Sequence, residues 1–373
     1  MPMYLASLTL RQFRNYTDVS FTLHPGLNVI VGENAAGKTN ILEAVFFLAT
    51  LHTHRTQNNK ELIHHGEQGM FLQGSFIDTP PHEVQIKMYQ NGKKEVLLNS
   101  KKCSKQTEIM GIIPVVWFSP DDLRLVKGEP NMRRRWINFI LSQTIPGYAK
   151  VLKRYHKALM ERNAALKNIQ EGKLSENMLS VWDEELAKSG VTLISFRHAL
   201  IKDMQSFLHT THDALSDGKE ILKVIYKPSI STEISPDPYT SFITYLQNHR
   251  HAEKLMCTTL GGPHRDELEF LINEKSVRSF GSQGQQRSVV LSLKLSEIEY
   301  IKKKLKLHPI GLFDDVLSEL DDNRSRRFWE ILCAQNPDTQ GSNVLGIQCL
   351  LTAVKAPAYI SQVHNPHWIP VSQ

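Results

Sequence analysis

A glycine-rich segment that ends in a lysine and a threonine has the clearest chemistry in the sequence. Residues 32–39 fill every fixed position of the G-x-x-x-x-G-K-[ST] phosphate-binding loop. The backbone N–H groups of such a loop and the N-terminus of the helix behind it form an anion-binding nest. Lys38 is predicted to reach the β- and γ-phosphates of a nucleoside triphosphate, and the Thr39 hydroxyl to ligate Mg²⁺. The predicted nucleotide-binding residues of this loop are Gly32, Glu33, Asn34, Ala35, Ala36, Gly37, Lys38 and Thr39.

The segments on both sides of this loop have the pattern that a phosphate-binding loop requires. An apolar run at 27–31 predicts a buried strand before it, and the mainly apolar run at 40–48 predicts a helix after it. The alternative is a chance glycine and lysine loop ahead of an amphipathic helix. The strand–loop–helix setting, with all fixed positions filled, favours a phosphate-binding loop.

Two neighbouring carboxylates follow a second apolar run near the end of the chain. Residues 310–313 are Ile-Gly-Leu-Phe, and Asp314 and Asp315 come directly after them. In a Walker B strand of this form, the first acid holds Mg²⁺ through water and the second accepts a proton from the attacking water. Two aspartates at a strand end are common, but their pairing with a phosphate-binding loop is much more specific. Asp314 is therefore predicted to hold Mg²⁺ with Thr39, and Asp315 and Lys38 to be catalytic.

A third polar motif, Ser282-Gln283-Gly284-Gln285, follows a predicted strand and begins a predicted helix. Its N–H groups can face an anion, whereas the alternative is a polar helix cap with Ser282 as the N-cap residue. The motif precedes Asp314 by about thirty residues, and Ser318-Glu319-Leu320-Asp321 follows soon after. This is the order of signature loop, Walker B strand and D-loop in an ABC-type ATPase. It predicts that Ser282, Gly284 and Gln285 also contact the nucleotide.

Strand and helix patterns divide the chain into two kinds of region. The first third alternates apolar and polar residues as strands do, with one helix inside it, and strand patterns return after Leu260. Between them, long helical patterns dominate, with Gly190 as a weak point. We predict an α/β head made of residues 1–122 and 256–373, with a mainly helical lobe inserted at 123–255. A coiled coil is the competing interpretation of the insertion, although its apolar positions are not sustained as heptads.

Composition and charge indicate a globular protein with a basic surface. The chain has 373 residues, a net charge of +6 and a pI near 9.0, which favours a polyanionic partner without excluding an ordinary basic enzyme. No base-reading motif is visible, so DNA contacts are expected at phosphates. The candidates are Lys101, Lys102, Lys105, Arg133, Arg134, Arg135, Lys302, Lys303 and Lys304. Each cluster can instead be a solvated face, and Arg133 to Arg135 can instead pack the lobe against the head through carboxylates.

Other features of the chain point to the reducing interior of a cell. The first residues lack the pattern of a signal peptide, and no apolar run is long enough to span a bilayer, so we expect a cytoplasmic protein without a membrane partner. The four cysteines are scattered, as is typical of reduced thiols. The histidines at 52, 54, 64 and 65 have no Cys or carboxylate partners at metal-ligand spacing, so they are interpreted as loop residues.

Motifs along the whole chain resemble those of the bacterial RecF family of recombination-repair proteins. The Arg133-Arg134 and His264-Arg265-Asp266 elements are more specific to that family than any ABC-type motif. The matching segments are Phe13-Arg14-Asn15-Tyr16, residues 32–39, Pro120-Asp121-Asp122, Gly128 to Arg134, Gly262 to Asp266, Ser282 to Arg287, and Asp314 to Asp321.

The resemblance implies an SMC-like ABC-type ATPase head with a helical lobe in place of a long coiled coil. It implies ATP and Mg²⁺ as cofactors, an ATP-dependent homodimer on duplex DNA and gap junctions, and slow, DNA-stimulated ATP hydrolysis. It also implies RecR and RecO as partners in helping to load RecA at single-strand gaps.

The sequence departs from the family pattern at a few positions. Glu129, Trp136 and Asn138 replace the usual residues, and Asp315 stands where many ABC-type heads have Glu. Thr352 takes the place of the switch histidine of transporters, so it is either a γ-phosphate sensor or a strand-end residue with no role. A transporter-type ATPase is one alternative function, and Thr352 speaks against it. An ATP-gated nuclease of the overcoming-lysogenization-defect type is another, but it would need an additional acidic metal cluster that the sequence does not show.

Overall fold

The contacts of the chain form two units. A computed structural model describes residues 3–53, 55–56, 58–105, 108–231, 237–316, 322–334, 346–354 and 366–372. Unit 1 comprises Met1–Leu123, Thr210–Lys219 and Arg287–Gln373, and unit 2 comprises Arg124–His209 and Glu220–Gln286. These groups of contacts do not coincide with the head and lobe drawn from the sequence, whose boundaries stay a prediction.

Some of the strands pair with their neighbours in the chain as hairpins, and others pair with strands far away in the sequence. In chain order, the strands are β1 (Tyr4–Phe13), β2 (Tyr16–Thr22), β3 (Leu27–Val31), β4 (Gly69–Ile77), β5 (His82–Tyr89), β6 (Lys94–Leu98), β7 (Lys101–Lys102), β8 (Val115–Phe118), β9 (Leu222–Lys227), β10 (Glu267–Ile272), β11 (Lys275–Ser276), β12 (Ile310–Asp314), β13 (Cys349–Ala353) and β14 (His367–Pro370).

The longest helices lie between β8 and β10 and just before β12. The helices are α1 (Lys38–Thr50), α2 (Arg124–Lys127), α3 (Pro130–Thr144), α4 (Tyr148–Gln170), α5 (Leu179–Ser216), α6 (Pro238–Met256), α7 (Val277–Phe280), α8 (Gln283–Leu305) and α9 (Asp322–Ala334), with short 3₁₀ turns at Asn59–Leu62, Pro120–Leu123 and Glu176–Met178. In the part of the chain that the structure describes, each helix is too short or too polar to cross a membrane.

Unit 1 contains a parallel sheet with the strand order β14–β3–β13–β12–β8. Its inner strands are short runs of Val, Ile, Leu and Phe that are buried, as is typical of a parallel sheet covered on both faces. Asp314 lies opposite Thr352 in the register, and Thr352 lies opposite Ile30. Because the strands are parallel, the C-terminal ends of β3, β13 and β12 meet at one edge of the sheet.

An aromatic cluster supports that edge from inside unit 1. The rings of Phe118 and Phe313 stack with centroids 4.5 Å apart, and Phe328 meets both edge-on. Leu295 and Ile298 of α8 belong to the same core. Rings of this size contribute much of a core's burial. The cluster therefore fixes the end of β12, where the paired aspartates begin.

The second sheet of unit 1 is antiparallel, in the order β2–β1–β4–β5–β6–β7. Its inner face is buried by Leu8, Leu72 and Ile86, whereas Arg11 and Lys87 stand exposed on the outer face. This is the half-buried alternation that the sequence predicts for β1, β4 and β5. Asn91 and Gly92 lie in the turn that joins β5 to β6, and Gly92 has φ 86°. The Asn-Gly pair favours a two-residue hairpin loop, but the loop is longer, because the Tyr89 N–H donates to the Lys93 carbonyl at 2.9 Å and Asn91 is not left-handed.

Unit 2 combines helices with a three-stranded antiparallel sheet, β11–β10–β9. The helical pattern of this region is confirmed, but strand β9 falls inside the stretch predicted as helical. The expectation that Gly190 weakens a helix is wrong, because α5 passes through it without a break. A Cβ at Gly190 would lie 2.6 Å from the Phe242 ring, so the glycine allows α5 and α6 to approach closely.

Candidate nucleotide-binding site

The phosphate-binding loop is a tight turn between β3 and α1. Ala35 and Gly37 lie in the left-handed region, at φ 66° and 101°. A Cβ on Gly37 would lie 2.4 Å from the Asn15 side-chain nitrogen, and one on Gly32 would lie 2.3 Å from the carbonyl oxygen of Val371. Both glycines are therefore required by close packing, and Gly37 also by its backbone conformation.

The Lys38 ammonium lies over the loop from which it projects. Its Nζ donates to the carbonyl oxygens of Gly32 and Glu33, each at 2.7 Å. These two hydrogen bonds keep the cation where a phosphate group bound by the loop would meet it. The position agrees with the role predicted for Lys38, which stays a prediction.

The threonine of the loop meets the first acid of the Walker B strand. Thr39 Oγ1 donates to Asp314 Oδ1 at 2.7 Å, and Thr352 Oγ1 donates to the same oxygen at 2.9 Å. The peptide N–H of Asp315 in turn donates to Thr352 Oγ1 at 2.9 Å. The N-terminus of α1 and the ends of β12 and β13 thus meet at one carboxylate, although 275 positions separate Thr39 from Asp314.

Opposing effects act on the pKa of the Asp314 carboxyl. Burial raises its pKa above the ordinary value, while hydrogen bonds from Thr39 and Thr352 and the charge of Arg55 act in the opposite direction. The hydroxyl and carboxylate oxygens gathered here are the hard ligands that Mg²⁺ prefers. The donor set therefore fits the predicted metal, and a divalent cation at this point would favour the ionised carboxylate.

Asp315 turns out of the strand into the same cleft. Its backbone is left-handed, with φ 49°, a conformation that Asp and Asn adopt more readily than most residues. The cleft has a volume of about 360 Å³, which is the size of a small-molecule site. Its lining combines both motifs: Asn34, Ala35, Gly37, Lys38, Thr39, Asn40, Arg55, Asp314, Asp315, Thr352 and Val354.

A set of side chains around the loop was not assigned from the sequence. The Asn15 amide nitrogen donates to the Ala36 carbonyl at 3.1 Å, and the Tyr16 hydroxyl donates to that of Gly37 at 3.2 Å. Asn40 links Asn15 to Arg55, whose guanidinium enters the cleft. Asn15 and Tyr16 belong to the Phe13–Tyr16 segment, one of the segments that carry the family resemblance.

A buried ion pair braces α1 from behind. Arg14 makes two hydrogen bonds of 2.8 Å to the Glu43 carboxylate, which is fully buried and also accepts the Thr53 hydroxyl. Removing one partner would leave a buried charge unpaired, so the pair is a strong constraint. It holds the turn between β1 and β2 against the helix whose N-terminus faces the cleft.

The Ser282 motif lies in unit 2, at the beginning of α8. Ser282 Oγ accepts the Gln285 N–H at 3.2 Å, and Gln285 Oε1 accepts the Ser282 N–H at 2.9 Å. This reciprocal pair is a capping box, so the helix-cap interpretation of Ser282 is confirmed. Nucleotide contacts by Ser282, Gly284 and Gln285 stay a prediction. The D-loop residues 318–321 and His54 lie outside the described residues.

The basic clusters differ in how far they face solvent. Arg133 is 2% exposed and donates two hydrogen bonds to Glu267, at 2.6 and 2.7 Å, so its assignment as a DNA contact is wrong. Its pairing with a carboxylate matches the packing alternative, although both residues lie in unit 2.

Arg134 is half-buried and donates to the Asp266 carbonyl, whereas Arg135 is exposed. Of the remaining candidates, Lys302 is largely covered, and Lys101, Lys102, Lys105, Lys303 and Lys304 are exposed.

Comparison with known proteins places the chain in a family. Residues 4–345 match the RecF/RecN/SMC N-terminal domain. The DNA replication and repair protein RecF of Halalkalibacterium halodurans is 40% identical over 86% of this chain and 88% of its own length. These relatives give no support to the transporter and nuclease alternatives.

Solved structures agree with the sequence comparison. One described as the recombination mediator protein RecF-ATP in the RecFOR pathway has a TM-score of 0.86 at 29% identity, covering 96% of this chain and 93% of that one. A Smc head bound to the C-terminal winged-helix domain of ScpA shares the fold, with a TM-score of 0.54 at 18% identity over 94% and 90% of the two chains. The predicted α/β fold of an ABC-type ATPase head is thus confirmed. The chain belongs to the RecF family.

Proposed function

We propose that the protein is an ATP-dependent DNA-binding ATPase of recombinational repair and of gap processing at replication forks. It binds ATP with Mg²⁺, dimerises on duplex DNA, hydrolyses ATP slowly and helps to load a recombinase at single-strand gaps. The observation that carries the proposal is the convergence of Lys38, Thr39, Asp314 and Asp315 on one cleft of about 360 Å³.

The residues of the cleft suggest how each step is achieved. The loop N–H groups and Lys38 bind the phosphates, since Lys38 can exchange two carbonyl oxygens for phosphate oxygens. Thr39 and Asp314 hold Mg²⁺, which neutralises charge on the phosphates when it is bound. Asp315 accepts the proton of the attacking water. Its short side chain holds that water less closely than a glutamate would, which agrees with slow turnover.

The dimer is inferred from the order of the motifs, which is that of an ABC-type ATPase head. In the proposed dimer, Ser282 and Gly284 of a second copy meet the γ-phosphate bound by Lys38, so two heads enclose two ATP molecules. The signature motif forms the N-terminal end of α8, and the backbone N–H groups at such a helix end attract phosphate. Closure of the dimer then depends on ATP, because ADP lacks the group that the second copy recognises.

The DNA and pathway assignments rest on the relatives. The curated relative is described as a DNA replication and repair protein, and the solved structure as a recombination mediator in the RecFOR pathway. We extend to this chain the binding of duplex DNA and gap junctions through phosphates, cooperation with RecR and RecO, and help in loading RecA. The net charge of +6 and the exposed lysines at 101, 102, 105, 303 and 304 support contact with phosphates.

Sedimentation tests the central claim. The protein is measured without nucleotide, with ADP and with ATP, each with and without a short DNA duplex. Dimers that form only with ATP and become more stable on duplex are the expected result. A monomer in every condition would leave nucleotide binding possible but remove the shared active site.

A further inference from the structure

A groove on the outer face of the six-stranded sheet has a chemistry different from that of the nucleotide cleft. Its volume is about 510 Å³, and its main lining residues are Arg11, Gln12, Phe71, Gln85, Lys87 and Tyr89. Arg11, Phe71 and Lys87 stand opposite one another on β1, β4 and β5 in the register of the sheet. They form a row of cation, ring and cation across the floor of the groove.

Flat side chains dominate this floor. The Arg11 guanidinium carbon lies 5.7 Å from the centroid of the Phe71 ring. The Tyr89 ring lies against Gly69, where a Cβ would be 3.1 Å from the ring. The Tyr89 side chain is 37% exposed and lines one side of the groove. Aromatic rings and guanidinium planes are the surfaces on which nucleic-acid bases stack.

Positive charge surrounds the same groove. Lys87 is exposed and forms no ion pair among the described residues, and Lys93 lies 5.9 Å above the Tyr89 ring. Hydrogen bonding and charge from Lys93, with the charges of Lys102 and Lys87, lower the pKa of the partly exposed Glu95 carboxyl. The Arg11–Asp18 pair at 3.3 Å is well exposed and therefore weak. Glu95 pairs with Lys93 at 3.1 Å, and Glu83 accepts a hydrogen bond from Gln85. Among the described residues, the groove lining itself includes the cations Arg11 and Lys87 and no carboxylate, so it attracts phosphate.

Gln12, which lines the groove, has a hydrogen-bond acceptor that the described residues do not use. Gln12 Oε1 is shielded from solvent but has no hydrogen-bond partner in the part of the chain that the structure describes. Gln12 also has a left-handed backbone, with φ 51°. A buried carbonyl without a donor is unfavourable, and strained residues of this kind concentrate at binding sites. The amino and ring N–H groups of bases are suitable donors.

We propose that this groove binds an unpaired nucleotide of a DNA strand. The base stacks on the Phe71 and Tyr89 side, Gln12 accepts a hydrogen bond from the base edge, and Arg11 and Lys87 hold the neighbouring phosphates. In a duplex the faces of the bases are stacked and their edges are paired, so only an unpaired strand uses the rings and the amide together. An acidic peptide would use the cations alone. The inference rests on the proposed DNA function but concerns a surface separate from the nucleotide cleft.

Binding measurements with the full chain test this proposal. The probes are a fluorescent oligo-dT strand of about 15 nucleotides and a mixed-sequence duplex of the same length. The double variant Lys87→Gln/Tyr89→Leu is compared with Lys157→Gln, which changes an exposed lysine of α4 in unit 2. We expect the double variant to bind the single strand about tenfold more weakly. Its affinity for the duplex and its ATPase rate should stay within about twofold of the parent, and Lys157→Gln should match the parent.

A crosslinking experiment keeps the proposal falsifiable if the double variant is unstable. Irradiation of the parent protein with a strand that carries 5-iodouracil should crosslink the peptide containing Phe71 or Tyr89. Crosslinks confined to other peptides would overturn the assignment. So would an equal loss of single-strand and duplex affinity in the double variant, since that result identifies a general phosphate contact. Failure of ATP-dependent dimerisation would count against the proposed function and leave this groove unaffected.

Discussion

Thr352 Oγ1 lies 2.9 Å from Asp314 Oδ1 and directs its only proton to that carboxylate. The same hydroxyl oxygen accepts the peptide N–H of Asp315 at 2.9 Å, and Thr352 is 1% exposed, so water does not replace either bond readily. A hydroxyl engaged in this way has no proton left for a γ-phosphate. This arrangement predicts that Thr352 positions the two aspartates, a role that differs from both alternatives drawn from the sequence.

Replacing Thr352 should show this positioning role. Thr352→Val removes a hydrogen bond that favours the ionised Asp314, so the pKa of that carboxyl should rise further. We expect Mg²⁺-dependent ATP binding to weaken about tenfold, and the acid limb of its pH profile to move to higher pH. Thr352→Ser keeps the hydroxyl and should behave as the parent. Titration of ATP affinity against pH, with and without Mg²⁺, checks the result. An unchanged acid limb in Thr352→Val would show that the hydroxyl does not act on Asp314.

Asp315→Asn should separate binding from hydrolysis. Asn tolerates the left-handed backbone at this position, so the fold is preserved, but an amide cannot accept the proton of the attacking water. We expect ATP affinity within about threefold of the parent, a dimer that persists with ATP, and turnover reduced by about a hundredfold or more. Rapid phosphate-release assays and sedimentation measure the two properties. Retained turnover would remove Asp315 from the role of base.

The capping box at Ser282 allows its two roles to be distinguished. Asp and Asn both replace Ser well as N-cap residues, so Ser282→Asp and Ser282→Asn should melt within a few degrees of the parent. Only the aspartate brings a negative charge toward the proposed γ-phosphate of the second copy. We therefore expect Ser282→Asp to abolish ATP-dependent dimerisation while Ser282→Asn retains most of it. If Ser282→Asp dimerised with ATP as well as the parent, the motif would not lie across the nucleotide.

The sequence predicted the parts of the nucleotide site that depend on local patterns. Residues 32–39 and the Ile310–Asp315 segment are short motifs whose spacing alone implies a strand end or a turn, and the structure brings Thr39 and Asp314 together. The Thr352 bridge was not predicted, because it depends on β13 lying between β3 and β12 in the sheet. Such an order is decided by tertiary pairing and leaves no periodic signal in the chain.

The same limit explains the errors in the basic clusters and in unit 2. Arg133 and Arg135 are two positions apart on α3, yet one is buried against Glu267 and the other faces solvent. Composition cannot separate them, since the difference is set by a partner 134 positions away. Strand β9 was missed for a related reason, because its pairing with β10 crosses the whole of α6.

Arg133 and Arg135 should respond differently to substitution. Arg133→Ala breaks a bidentate pair in which the arginine is buried and Glu267 is partly exposed, so we expect a loss of about 2–3 kcal/mol in the free energy of unfolding. Arg135→Ala should change stability by less than about 0.5 kcal/mol. If Arg135 contacts phosphate, its loss should reduce the salt dependence of duplex binding by about one unit of slope. Urea unfolding and duplex titrations at several salt concentrations measure both effects. An unchanged stability in Arg133→Ala would contradict the structural role.

The stability of unit 2 should fall in mild acid because of His264. Its Nδ1 accepts the Tyr155 hydroxyl at 2.6 Å and its Nε2 donates to the Thr259 carbonyl at 3.1 Å, so the ring is held neutral. Burial lowers the pKa of His264 to about 4, and the charge of Arg265 acts in the same direction.

The sign of the pH effect follows from these values. In the unfolded chain the pKa of His264 returns to about 6.5, so between these values the unfolded state binds more protons than the folded state. The free energy of unfolding should therefore decrease by about 3 kcal/mol as the pH falls from 6.5 to 4. His264→Gln should remove most of this slope, whereas His209→Gln, an exposed histidine of the same unit, should leave it intact. Urea unfolding across this pH range measures the slope, and an equal slope in parent and His264→Gln would show that another group controls it.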